Sequence, residues 1–192
     1  MRAVVSGQVA VVGYRVSRES PKSEPVPLTI DGKPPSLFLY VAHTLVMDEW
    51  DRFLANSRST YSLQIGTGDS AQTLLTYDYV RDPPNEYPAA HLHVYGSTDE
   101  FDQLASLRSI RAKKTSDLHI PVGGRRFRPS LEDLIEFCIL EELVESRSTW
   151  ADVLTESRDL YRKRQLSATV RRSPDQAAAV LQNNGWTVRP PA

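Results

Sequence analysis

Only one cysteine, Cys138, stands in the chain, so no disulfide can form within it. That residue lies in the apolar stretch Leu134 to Leu140, where a buried, inert thiol is expected. An excess of either charge is missing too. The 23 Lys and Arg residues are balanced by 24 Asp and Glu, so indiscriminate coating of nucleic acid is excluded and any nucleic-acid contact must come from local patches. Long hydrophobic runs are absent. The N-terminal segments Ala3–Val5 and Val9–Val12 are interrupted by Ser6, Gly7, Gln8, Gly13 and Arg15, too short and broken for a membrane span or a signal peptide. A cytoplasmic protein without a membrane partner is the expectation. No phosphate-cradling loop is present, because Gly66-Thr67-Gly68 lacks the lysine and the spacing. No serine or cysteine stands in a nucleophile elbow, and there is no internal repeat or low-complexity segment. No cofactor is expected.

What remains is ordinary globular composition. With 192 residues, 40% apolar and 24% charged, the chain can bury one core. The pattern predicts an α+β fold, with an antiparallel β-sheet meander packed with helices in the N-terminal two thirds and a helical C-terminal third. Residues 1–128 form the sheet part and 129–192 the helical part packed on it, as one structural unit.

Residues 3–16 read as a strand or a short buried helix, and Asp31-Gly32 as a hairpin turn after the run Val26–Ile30. Leu37 to Val46 is apolar on both faces and reads as a central covered strand, with His43 a core histidine. In Asp48 to Leu54, Trp50, Phe53 and Leu54 fall at helical spacing, which predicts a short helix. Strands are expected over Tyr61–Ile65, Thr73–Val80, Ala89–Tyr95 and Asp117–Ile120, with a helix over Thr98–Leu107. Ser130 after Pro129, with Glu132 and Asp133 in the first turn, predicts a helix from Leu131. Two more helices follow, from about Trp150 to Val170 and from Pro174 to near Gly185. Trp186–Val188 reads as a last short strand.

Strand alternation singles out one region. It places His91, His93 and Tyr95 on one face of their strand, with Ala90, Leu92 and Val94 toward the core. It likewise pairs Asp117 with His119, opposite Leu118 and Ile120. Three of the four histidines thus occupy two polar strand faces, and Arg125, Arg126 and Arg128 follow closely.

Three readings compete. In the first, His91, His93 and His119 supply acid and base to a phosphodiester, and Arg125, Arg126 and Arg128 bind the phosphate. In the second, His-x-His on a strand holds a transition metal with His119 or Asp117 as third ligand. In the third, the histidines line a polar groove or stack on tyrosines, and the arginines pair with Glu132, Asp133 and Glu136. Tyr79, in Tyr77-Asp78-Tyr79-Val80-Arg81, can stack a base or simply fill the sheet. The basic residues Arg158, Arg162, Lys163, Arg164, Arg171 and Arg172 contrast with acidic Glu132 to Glu145, an asymmetry compatible with a homodimer, RNA or a charged protein partner.

The segment Leu74–Val94, with its Tyr-Asp pair, proline-bearing loop and paired histidines, resembles small toxin-like proteins called TumE over about a tenth of the chain. The helical third has no counterpart there. As a whole the chain resembles uncharacterised actinobacterial proteins found beside regulator genes. The resemblance implies a toxin–antitoxin or prophage-defence role, with a cognate antitoxin or regulator as partner, and marks His91 and His93 by position. The expectation carried forward from the first reading is a toxin-type protein acting on RNA by histidine acid–base chemistry. A non-catalytic partner of a regulator and a histidine-based metal-binding domain are the alternatives.

Overall fold

The computed structural model describes residues 1–30, 32–84, 87–106, 115–124 and 128–189. Its contacts divide the chain into two compact units, Met1–Ser146 and Arg147–Ala192. Leu134 and Cys138 belong to the same buried cluster as the sheet residues of the first unit.

The first unit is built on an eight-stranded antiparallel sheet. Strands β1 (Arg2–Ser6) and β2 (Val9–Gly13) form a hairpin, so the N-terminal apolar run is β rather than helix. Strand β3 (Val26–Ile30) returns into the long β4 (Lys33–Met47), with Ile30 paired to Lys33 and Gly32 at φ 61°. That is the tight turn expected of Asp31-Gly32, although Asp31 itself lies outside the described residues. One edge of β4 serves both β3 and β2, while its other edge pairs along almost its whole length with β5 (Leu54–Ile65). Strands β6 (Gln72–Val80), β7 (Ala90–Val94) and β8 (Ile120–Pro121) follow in order.

The helix expected over Asp48–Leu54 is instead the β4–β5 turn. Asp48 Oδ1 accepts from the backbone N–H groups of Trp50, Arg52 and Phe53, and Asp51 takes φ 52°. Asp48 N–H donates to the Phe53 carbonyl and closes the hairpin. A carboxylate that binds three local N–H groups offers them an alternative to helical partners. It also holds the Asp48 carboxyl below its usual range, with the Arg52 N–H the largest cause.

Alternation gives the sheet two unlike faces. Leu37, Leu39 and Val41 on β4 and Tyr61 and Leu63 on β5 form the core face. Helix α2 (Leu131–Leu140) covers it through Leu134 and Cys138, joined by Leu131 and Ile135. Burial pushes the Cys138 thiol up, as befits an inert core residue. Ser130 caps α2 in a reciprocal box: its hydroxyl accepts from Asp133 N–H, and the Asp133 carboxylate accepts from Ser130 N–H. Ser130→Ala is therefore expected to cost about 0.5–2 kcal/mol, read as a lower urea midpoint.

Helix α1 (Asp99–Ser106) follows β7. The second unit consists of α3 (Trp150–Arg172) and α4 (Pro174–Asn183), with proline in the first turn of α4 and Gly185 at φ 84° just beyond its end. Residues 186–188 are not a strand, and they pair with no strand among the described residues. Among the described residues, no helix is long and apolar enough to cross a membrane.

Candidate functional site

The site forms where β7 meets the segment leading into β8. On β7, Leu92 pairs with Tyr77 on the core side, so His91 and His93 project from the opposite face. His91 lies opposite Asp78 of β6, and His93 opposite Thr76. The same face continues onto β5, where Thr60 and Ser62 pair with Asp78 and Thr76. Thr60 Oγ1 donates to Asp78 Oδ1 at 2.6 Å, and the Ser62 and Thr76 hydroxyls bond at 2.8 Å. A polar strip thus runs across the sheet to the histidines.

His119 reaches them from the far side. The strand expected over 117–120 is shorter than its pattern suggests: Thr115–Asp117 is a 3-10 turn, and only Ile120 and Pro121 pair with β7. Ile120 sits opposite Leu92. His119, one residue before it, therefore takes the histidine side of the edge.

The three rings are mutual neighbours. Ring centroids are 5.0 Å apart for His91 and His93, and 4.8 Å for each of them to His119. One ring nitrogen from each residue lies within 4.8 Å of the others, and among the described residues this is the group of His, Cys, Asp or Glu positioned to hold a metal ion. His91 is 3% exposed, while His93 and His119 are half-buried.

Two tautomers follow from the hydrogen bonds. His91 Nδ1 is 2.7 Å from the Pro88 carbonyl oxygen, and His93 Nδ1 is 2.8 Å from that of Ser116. A carbonyl oxygen only accepts, so each Nδ1 carries a proton. In the neutral ring the lone pair is then on Nε2. A backbone carbonyl on one nitrogen is the usual way to orient a histidine that ligates through the other. Tyr87 adds a wall, stacked on His119 at 4.7 Å and edge-on to His91 at 5.0 Å. Tyr87 and the two carbonyls went unnoticed in the sequence. Tyr87 and Pro88 are signalled only by closeness to His91 in the proline loop, Ser116 lies 23 residues from His93, and carbonyls carry no side-chain code.

The structure does not bring Arg128 to this site. Its guanidinium lies 4.1 Å over the ring of Tyr79, which is buried and pairs with Ser59 and Ala90 on the core face. Arg128 and Tyr79, with Tyr61, Tyr77 and Pro129, line a narrow crevice there. Arg125 and Arg126 lie outside the described residues.

His43 belongs to that other face, opposite Ser59, with Asn56 Nδ2 3.3 Å from its Nδ1 and Tyr61 edge-on at 5.5 Å. Burial, then the Arg128 guanidinium, hold its imidazole below the ordinary value, with Glu132 pulling the other way. The folded state thus disfavours protonation, and the unfolded chain takes up this proton first as pH falls. His43's share of stability is present above the unfolded value of about 6.5 and is lost as pH drops through the folded one. His43→Gln is expected to flatten part of the fall in melting temperature between about pH 7 and pH 5. An unchanged fall in the variant would assign it to other groups.

No protein-family model, curated protein or solved structure matches this chain.

Proposed function

We propose that this protein binds a divalent transition-metal ion of the zinc class through His91, His93 and His119. The reading is carried by the convergence of three imidazoles whose ligand nitrogens lie within 4.8 Å of one another. Hydrogen bonds that leave Nε2 as the lone-pair atom on His91 and His93 reinforce it. Neutral imidazole suits zinc, copper, nickel and iron. At a Zn–N distance of about 2.0–2.1 Å, tetrahedral ligand nitrogens sit about 3.3 Å apart. Binding therefore draws the rings together by about 1.5 Å at most, which small side-chain rotations supply.

The test is metal content. Protein purified without chelator is expected to carry close to one equivalent of zinc or a related ion. Chelation should lower its melting temperature and zinc should restore it. Protein that arrives metal-free, and melts alike with zinc or chelator, would remove the proposal.

A second reading keeps the toxin-type action on RNA, favoured by one observation: neighbouring imidazoles, with ring centroids 4.8–5.0 Å apart, can act as base and acid. It lacks Arg128 as its phosphate contact. Growth arrest on induced expression that is lost in a folded His91→Ala/His93→Ala variant, with RNA cleavage that persists in chelator, would favour it over the metal.

A further inference from the structure

We infer that the three-histidine centre is a clasp: its ion fastens the segment Thr115–Val122 to the edge of the sheet, and loss of the ion lets that segment detach and uncovers β7. This rests on the metal reading above and gives the bound ion a regulatory consequence.

The ligands come from two separate pieces of backbone. His91 and His93 stand on β7, which is laddered to β6 and through it to β5. His119 stands 26 positions after His93, between the 3-10 turn Thr115–Asp117 and β8. One ring nitrogen from each lies within 4.8 Å of the others, so an ion shared by the three ties the outer segment to the sheet. A metal that closes a loop of chain takes freedom from the detached state, and the gain grows with loop length.

The segment's own ladder is short. β8 offers two residues to β7, at His91–Pro121 and Leu92–Ile120, whereas β6 pairs with β7 over five. Pro121 has no N–H to give to a ladder. The Val122 N–H meets the Ala90 carbonyl at 3.4 Å, longer than a good N–H···O bond. A ladder of this length opens locally at less cost than the whole fold.

Two other attachments pass through the histidines. His93 Nδ1 donates to the Ser116 carbonyl at 2.8 Å, and the His119 ring stacks on Tyr87 at 4.7 Å. The bond that orients His93 as a ligand is therefore also one that holds the segment. An ion on His93 Nε2 draws charge from the ring and makes its Nδ1–H the stronger donor. Binding and fastening are thus coupled through the same atoms.

Detachment changes what the sheet presents. β7 then becomes an edge strand whose N–H and C=O groups at His91 and Leu92 are open to pairing. Such an edge takes up an extended peptide. The metal content of the protein decides whether that edge is closed.

The test is backbone hydrogen exchange, read by mass spectrometry on the full-length protein with zinc and with chelator. In the metal-free protein, the amides of residues 116–122 are expected to exchange faster than those of the β4–β5 core, around Val41 and Tyr61. Zinc at 100 times its dissociation constant should slow them about 100-fold. The amides of β1 and α4, which fray without breaking the site, should not change. His119→Ala in zinc is expected to show the metal-free pattern, and chelation of the unsubstituted protein gives the same comparison without any substitution.

If zinc binds stoichiometrically and raises the melting temperature, yet residues 116–122 of the metal-free protein exchange as slowly as the β4–β5 core, the segment does not detach on its own. This inference then fails while the metal reading stands. Equal slowing of β1, α4 and the segment overturns it in the same way, because the ion then steadies the whole protein rather than one edge. Protein that binds no metal ends both.

Discussion

His93→Ala is expected to abolish zinc-induced stabilisation while leaving the metal-free protein folded. A ligand that stabilises only the native state adds about 2.7 kcal/mol at a concentration 100 times its dissociation constant. For a chain of this length, about 2–4 °C per kcal/mol turns that into a rise of about 5–10 °C in melting temperature. Loss of an outer-shell partner weakens a metal site about 10–100-fold, so loss of a direct ligand should exceed about 100-fold. His93 is the cleanest variant because it is half-buried and its truncation opens little core. His119→Ala should behave similarly. His91→Ala should lose both the zinc response and some intrinsic stability, since His91 is almost wholly buried and leaves a cavity. Calorimetric melting with and without zinc reads both effects. A His93→Ala protein that keeps the full zinc shift would place the ion elsewhere.

Leu63→Ala is expected to produce the largest loss of stability from a single truncation, about 2–5 kcal/mol. Leu63 is 2% exposed, lies between Leu39 and Leu75 in the sheet, and belongs to the cluster that α2 seals with Leu134 and Cys138. Neighbours anchored in a sheet ladder cannot collapse into the space that the truncation opens. Against a total stability of about 5–15 kcal/mol, such a loss leaves a marginal protein at physiological temperature. Leu54→Ala is the control: Leu54 is 60% exposed and should change stability by no more than about 0.5 kcal/mol. Urea denaturation compares the two. Equal midpoints would mean that the core does not lie where the Leu63 cluster puts it.

Much of the site was legible because its cause is local. Side chains along a strand alternate whatever the strand pairs with, so His91 and His93 could be placed on one face, with Ala90, Leu92 and Val94 behind them. The Ser130 cap and the turn at Gly32 are equally local, set by one hydroxyl and one positive φ. The segment at Asp48 was misleading for a related reason. Apolar residues at Trp50, Phe53 and Leu54 satisfy helical spacing, but six or seven residues are too few to distinguish a helix from a hairpin end. There the three backbone bonds to Asp48 decided the outcome.

The sequence by itself determined the α+β class, the polar face of β7 and the cap of α2, because each depends on residues a few positions apart. Only the tertiary structure decided that His119 joins His91 and His93, because that depends on the Ile120–Leu92 register across two segments of distant sequence. It also decided that Arg128, nine positions after His119, lies on the opposite face over Tyr79. Nearness along the chain does not encode a face once the chain has left the sheet edge, whereas strand pairing specifies it residue by residue.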